Sequence, residues 1–105
     1  MGRSSRVKPR YLAEKLLRIR LALELSQERM LERLGEFESM TQASISMYEA
    51  GTREPPLPVL CRYADLANIT LDVLARDELD LPGKIPTTKK SQGVKRPPMK
   101  PSDPK

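Results

Sequence analysis

The chain has 105 residues, enough for one domain, and its 19 basic and 14 acidic side chains give a formal charge of +5. It contains no histidine and one cysteine, which excludes an internal disulfide and argues against a zinc site or general-base catalysis. Leucine is abundant, tryptophan is absent and no Val/Ile-rich alternating run occurs, so the composition predicts an all-α fold. No leader or membrane-spanning run is visible, and a cytoplasmic protein is expected.

The charge is distributed unevenly along the chain. Residues 1–10 carry four basic groups and no acid, residues 11–82 carry 8 basic and 13 acidic groups, and residues 83–105 carry seven basic groups and one acid. Six of the ten prolines lie from Pro82 onward, in a composition typical of disorder. We therefore predict a basic N-terminal arm (1–10), a helical domain (11–82) and a disordered basic, Pro-rich tail (83–105).

The first two predicted helices are short and joined by a tight turn. Apolar residues at steps of four, three and four line one face of the first helix: Leu12, Leu16, Ile19 and Leu23. Ser26 is a good N-cap for a second helix over residues 27–34, and Gly35 can supply its left-handed end. The turn between the two helices is expected at residues 25–26.

A third short helix is predicted between Thr41 and Gly51, after a connector at residues 36–40. Thr41 is the preferred N-cap, although Ser39 with Gln42 also fits a capping box. Helical spacing predicts one set of residues facing inward, namely Ser44, Ile45 and Tyr48. The same spacing leaves another set facing outward, namely Gln42, Ala43, Ser46 and Met47.

Two further helices complete the predicted bundle. The Pro-rich stretch at residues 54–58 breaks the chain, and Pro58 suits the first position of a fourth helix that runs to about Ala67. Asn68 can adopt the left-handed conformation that ends this helix. Thr70 is then expected to cap a brief fifth helix, from Leu71 to about residue 76.

Three segments, in this order and spacing, carry a family resemblance. They are residues 25–28 (LSQE), 45–51 (ISMYEAG) and 66–72 (LANITLD). Together they resemble the opening of helix 2, helix 3 and the helix 4 to 5 join of the DNA-binding domain of lambda-type phage repressors, the Xre family. The similarity spans residues 12–76 and implies a five-helix helix-turn-helix bundle. The connection from Gly35 to Ile45 is about four residues, or one helical turn, longer than is usual in that family.

The resemblance implies that the third helix is the recognition helix and that its early residues reach base edges in the major groove. The implied base-contacting residues are Gln42, Ala43, Ser46 and Met47. Their chemistry fits an A·T-containing half-site, because a glutamine amide can pair with an adenine edge and apolar side chains suit thymine methyls.

Further site residues are implied by the same resemblance. Phosphate contacts are expected from Gln27, Ser44, Thr52 and Arg53, which supply a helix N-terminus, hydroxyls and a guanidinium. In the family, an arginine late in helix 1 pairs with the glutamate near the end of helix 3. The matching residues here are Arg20 and Glu49, which we expect to form a structural ion pair.

The sequence therefore predicts a transcriptional regulator of bacterial or phage type, such as a repressor, with no cofactor, no metal, no small-molecule substrate and no enzymatic activity. Its expected partner is double-stranded DNA, bound as a homodimer on a near-palindromic site, because one recognition helix reads only a few base pairs. The alternative is a protein-interaction or antitoxin-like accessory module whose basic tail docks on an acidic partner.

Overall fold

A computed structural model describes residues 9–35 and 40–96, and in these ranges the chain forms five helices followed by two short strands. The elements are α1 (Leu12–Ala22), α2 (Gln27–Leu34), α3 (Gln42–Ala50), α4 (Leu57–Ala67), α5 (Leu71–Ala75), β1 (Leu79–Asp80) and β2 (Val94–Lys95). The predicted five-helix, all-α class is confirmed. The longer connector at residues 36–39, most of the predicted N-terminal arm and residues 97–105 lie outside the described residues.

The ends of α2 and α3 follow from local capping chemistry. The Ser26 side chain accepts a hydrogen bond from the Arg29 N–H (3.1 Å) at the start of α2. At the start of α3, Thr41 and Ser44 form a reciprocal capping box, in which each side chain accepts from the other residue's backbone N–H. Thr41 is therefore the N-cap of α3, while the alternative, Ser39, lies outside the described residues. Gly51 ends α3 in the left-handed conformation, at φ 80°.

The predicted bounds of the last two helices differ slightly from those observed. Helix α4 begins at Leu57, so Pro58 occupies its second position, where a missing N–H is still tolerated. Asn68 ends α4 in the left-handed conformation, as predicted. Thr70 precedes α5, but its side chain makes no capping hydrogen bond, and its backbone N–H donates instead to the Ser91 carbonyl (2.9 Å). Helix α5 ends at Ala75, one residue earlier than predicted.

One core joins all five helices and includes a buried lysine. Its apolar members are Leu12, Leu16, Ile19, Met30, Leu34, Ile45, Tyr48, Val59, Tyr63, Ala64, Ala67, Ile69, Val73, Leu74 and Leu81. Lys15 lies among them, fully buried, and its Nζ donates to the Val73 (2.7 Å) and Arg76 (3.1 Å) carbonyls. Burial lowers the pKa of Lys15. Since those carbonyls lie in and just after α5, the ammonium group stabilises the C-terminal end of this helix.

The chain after residue 82 runs back along the bundle, and we call residues 83–96 the C-terminal strap. Ser91 forms a parallel bridge with Ile69, because its N–H donates to the Asn68 carbonyl (3.0 Å) and its carbonyl accepts from Thr70. Further along, β2 pairs antiparallel with β1. The segment that composition predicted to be a disordered tail is thus in backbone contact with the α4–α5 connection and with β1, as far as residue 96.

Acidic groups on the bundle explain why a lysine-rich and proline-rich segment is held there. Lys90 pairs with Asp65 of α4 at 2.7 Å, and Arg96 pairs with Asp80 of β1 at 3.2 Å. The Arg96 guanidinium also lies over the Tyr11 ring, 3.8 Å from its centroid. These contacts join a basic segment to the acidic part of the domain, which amino-acid composition alone does not reveal.

Tyr63 offers a test of the core. Its hydroxyl is buried without a hydrogen-bond partner among the described residues, and burial raises its pKa. We expect Tyr63→Phe to stabilise the fold by about 1 kcal/mol at pH 7, since an unsatisfied buried hydroxyl is removed.

The raised pKa also predicts an alkaline effect. Because burial keeps the Tyr63 phenol protonated in the folded state, the unfolded state ionises first, at its pKa of about 10. The free energy of unfolding is therefore unaffected by this group below that pH and falls as the pH rises above it. The Phe variant should therefore lose less stability than the parent between pH 9 and 11 in urea unfolding. A Phe variant that is less stable than the parent at pH 7 would contradict this account.

Candidate nucleic-acid interface

Helix α3 presents one exposed face to solvent and packs its other face on α1 and α2. The buried residues are Ser44, Ile45 and Tyr48, which are those that helical spacing predicted. The residues on the opposite side are Gln42, Ala43 and Ser46, which are exposed, and Met47, which is partly exposed. We call these four residues the recognition surface.

The recognition surface carries no formal charge. Glu49 is the one charged residue between Gln42 and Ala50, and its side chain turns inward, 7% exposed. The surface therefore offers an amide, a hydroxyl and two apolar groups, which suit hydrogen bonds and methyl contacts at base edges better than they suit attraction to phosphates.

A three-residue network fixes α3 relative to α1 and α2. The Arg20 side chain, 14% exposed, donates twice to Glu49, from Nε to Oε2 at 2.6 Å and from NH2 to Oε1 at 3.0 Å. This bidentate contact raises the pKa of Arg20. Arg20 also donates to the Leu25 carbonyl (2.9 Å), and Gln27 Nε2 donates to Glu49 Oε1 (3.1 Å). The orientation of the recognition surface thus depends on charge-assisted bonds between three helices.

The four residues expected to contact phosphate occupy different environments. Arg53 and Thr52 are exposed just after α3, and the Thr52 hydroxyl donates to the Met47 carbonyl (3.3 Å). Gln27 is at the start of α2, but its amide nitrogen is engaged by Glu49. Ser44 is 3% exposed and its hydroxyl belongs to the α3 capping box, so in this conformation it serves the helix rather than an external anion.

Sequence reasoning missed a cleft between the start of α1 and the loop after α3. It is lined by Pro9 and Arg10, which precede α1, by Tyr48 of α3, and by Gly51 and Arg53, which follow α3. The Gly51 Cα lies close to α1, because a Cβ built there would be 3.5 Å from the Ala13 Cβ. The sequence contained no signal for this proximity, since Arg10 was assigned to an arm and Arg53 to a loop far along the chain.

Comparison with known proteins agrees with this geometry. A family described as "Helix-turn-helix" matches residues 16–74, which is more than half of the chain. No curated protein and no solved structure gave a significant match. No helix in residues 9–35 and 40–96 has both the length and the apolar character needed to cross a membrane. With its five helices, its recognition surface and this match over residues 16–74, the chain belongs to the lambda-repressor-like helix-turn-helix family, whose members have DNA-binding functions of the transcription-regulator type.

Proposed function

We propose that this protein binds double-stranded DNA sequence-specifically, with α3 in the major groove, and acts in the cytoplasm as a transcriptional repressor of bacterial or phage type. The observation that carries the proposal is the uncharged, exposed recognition surface on a helix whose orientation is fixed by Arg20 and Glu49. A rigidly held helix with hydrogen-bonding and apolar groups on its outer face is what direct readout of base edges requires.

Each residue of the recognition surface has a proposed role. Gln42, in the first turn of α3, pairs with an adenine edge through its amide, while Ala43 and Met47 contact thymine methyl groups. Ser46 can donate to or accept from either base of a pair. Arg53 and Thr52 contact phosphates at the end of α3, and Gln27 does so at the start of α2.

The acidic character of residues 11–82 does not oppose this function once the strap is included. Those residues carry a net charge of −5, and the strap adds five basic groups without an acid, so residues 11–96 are neutral overall. Two of the acids, Asp65 and Asp80, pair with Lys90 and Arg96 of the strap, and neither lies in α2 or α3. Nonspecific repulsion from DNA is thereby reduced.

The strap also bears on the alternative function, a module whose basic tail docks on an acidic protein. Lys90 and Arg96 are already paired within the chain, so fewer charges of residues 83–96 are available for an external partner. This observation favours the DNA reader. We further propose that the protein binds as a homodimer on a near-palindromic site, with half-sites about one helical turn apart.

Selection of bound sequences from a random duplex pool tests this function. The wild-type protein should enrich a near-palindrome, and Gln42→Ala should lose preference at one base pair per half-site. The expected loss is roughly 5-fold to 150-fold in discrimination, which corresponds to about 1–3 kcal/mol for a bidentate contact. Binding to unrelated duplexes should stay within about 2-fold, because Gln42 carries no charge.

A matched control is Gln92→Ala, which removes the same amide from an exposed position on the strap. It should leave the enriched sequence unchanged. Salt-sensitive binding by the wild-type protein without any enriched sequence would contradict the proposal, as would an unchanged preference in Gln42→Ala.

A further inference from the structure

The cleft at the end of α3 has the composition of an anion site. It encloses about 130 Å³ and is lined by the exposed side chains of Arg10 and Arg53, with the Tyr48 ring in its wall. Burial raises the pKa of Tyr48, and the charge of Arg53 acts in the opposite direction, as expected for a guanidinium close to the phenol. Glu54 also lines the cleft, so its three charged groups sum to +1.

Arg10 is held at the mouth of this cleft by contacts from the far end of the chain. The Asp77 carboxylate accepts hydrogen bonds from the backbone N–H groups of Arg10 (2.8 Å) and Tyr11 (3.4 Å). The Arg96 Nε donates to the Asp77 carbonyl (3.2 Å), and its guanidinium covers the Tyr11 ring. The strap and the turn before β1 therefore hold the backbone of Arg10 and Tyr11 at the start of α1.

We propose that this cleft binds one backbone phosphodiester of DNA between the guanidinium groups of Arg10 and Arg53. The inference rests on the proposed function, because the loop after α3 lies beside DNA only if the recognition surface faces the major groove. Arginine forms charge-assisted, often bidentate hydrogen bonds to phosphate oxygens, and two arginines lining the same cleft can hold one phosphate in a defined register. Arg10 is then a DNA-contacting residue.

Such a contact is independent of base sequence, and its removal has a characteristic signature. Losing one phosphate contact weakens binding to all duplexes alike and reduces the slope of log K against log salt by about 0.9. Loss of either arginine disrupts the same contact. The factor by which the double variant, Arg10→Gln with Arg53→Gln, loses DNA affinity should therefore be smaller than the product of the factors for the two single variants.

The experiment measures the affinity of the full chain for its selected duplex and for an unrelated duplex at several salt concentrations. The variants are Arg10→Gln, Arg53→Gln and their combination. Lys84→Gln serves as the control, because it removes one exposed positive charge from a different cavity, which Arg18 and Ala22 of α1 line. Thermal melting verifies that each variant folds as the wild type does.

We expect Arg10→Gln to weaken binding to both duplexes by about 5-fold or more and to lower the salt slope by about one, whereas Lys84→Gln changes affinity by less than 2-fold. Equal effects of Arg10→Gln and Lys84→Gln would overturn the cleft assignment, as would multiplicative losses in the double variant. If either result is found while the wild type still enriches a sequence, the cleft assignment fails and the proposed function stands. A wild type that enriches no duplex contradicts the proposed function itself.

Discussion

Truncation after residue 82 is expected to destabilise the helical domain by about 3 kcal/mol or more. It removes the pairing of β2 with β1 and three further backbone hydrogen bonds between the strap and the bundle, from Thr70 N to Ser91 O, from Ser91 N to Asn68 O and from Arg96 N to Glu78 O, each of the three contributing about 1 kcal/mol. It also removes both ion pairs of the strap and uncovers Ile69, which is 1% exposed. Urea unfolding of the truncated and full chains measures the loss.

Truncation after residue 96 is the matched control, since it keeps every contact of the strap described above. Its unfolding midpoint should lie well above that of the chain truncated after residue 82. The substitution Gly93→Ala tests the strap in the full-length protein. Gly93 has φ +81°, and a Cβ there would lie 2.6 Å from the Asp80 carbonyl oxygen, so the variant should be destabilised in the same direction. Equal midpoints for the two truncated proteins would show that the strap contributes nothing.

The expected loss of stability on truncation determines which variants can test the function. Deletion of residues 83–105 is the simplest way to remove the charge of the basic tail and so to distinguish its DNA-binding role from a partner-binding role. If the deletion lowers the stability of α4 and α5, however, a loss of DNA binding would report unfolding rather than lost charge. Substitution of exposed strap lysines, such as Lys84 or Lys89, removes charge without removing the backbone pairing and separates the two effects.

Glu49→Ala is expected to cost about 3–5 kcal/mol of folding free energy, because it leaves the mostly buried Arg20 guanidinium without its carboxylate. Arg20→Ala should cost a similar amount, since it strands the Glu49 carboxylate. Gln27→Ala should cost less, because it removes a single bond to a carboxylate that Arg20 still satisfies. Chemical unfolding of each variant at neutral pH gives these values.

The exposed pair Arg29–Glu32 on α2 provides the comparison. Its side chains are 72% and 63% exposed, so Glu32→Ala should change stability by about 0–1 kcal/mol. A Glu49→Ala variant no less stable than Glu32→Ala would refute a structural role for the pair. In any Glu49→Ala protein that remains folded, base preference should change less than stability does, because Glu49 faces away from the recognition surface and affects it only through the orientation of α3.

Much of the fold was predictable because its signals are local. The N-caps Ser26 and Thr41 and the left-handed residues Gly51 and Asn68 specify where helices begin and end through contacts within a few residues. Helical periodicity likewise separated the buried face of α3 from the recognition surface, since a short amphipathic helix leaves few choices of side. The Arg20–Glu49 contact came from the family resemblance, because nothing in the local sequence links those two positions.

Contacts between distant parts of the chain were not predictable. The lysines and prolines of the strap indicated disorder, and no local pattern shows that Asp65 and Asp80 lie where Lys90 and Arg96 can reach them. Lys15 falls between Leu12 and Ile19 on the buried face of α1, which was a signal for burial. Its positive charge favoured an exposed position, and the carbonyls at the end of α5 to which it donates explain why it is buried.

The stacking of Arg96 on Tyr11 brings the first and last parts of the described chain to one corner of the molecule. Residues 9 and 10 at this corner also line the cleft that contains Arg53. An affinity tag or fluorescent fusion joined directly to residue 9 or residue 96 of a shortened chain would therefore begin beside the proposed DNA contact, where its bulk competes with the duplex. Because residues 9 and 96 lie close together, a short linker can join them in a circularly permuted protein. New ends in the exposed stretch at residues 87–89 would place a label near Asn68, at the end of α4, which does not line the cleft.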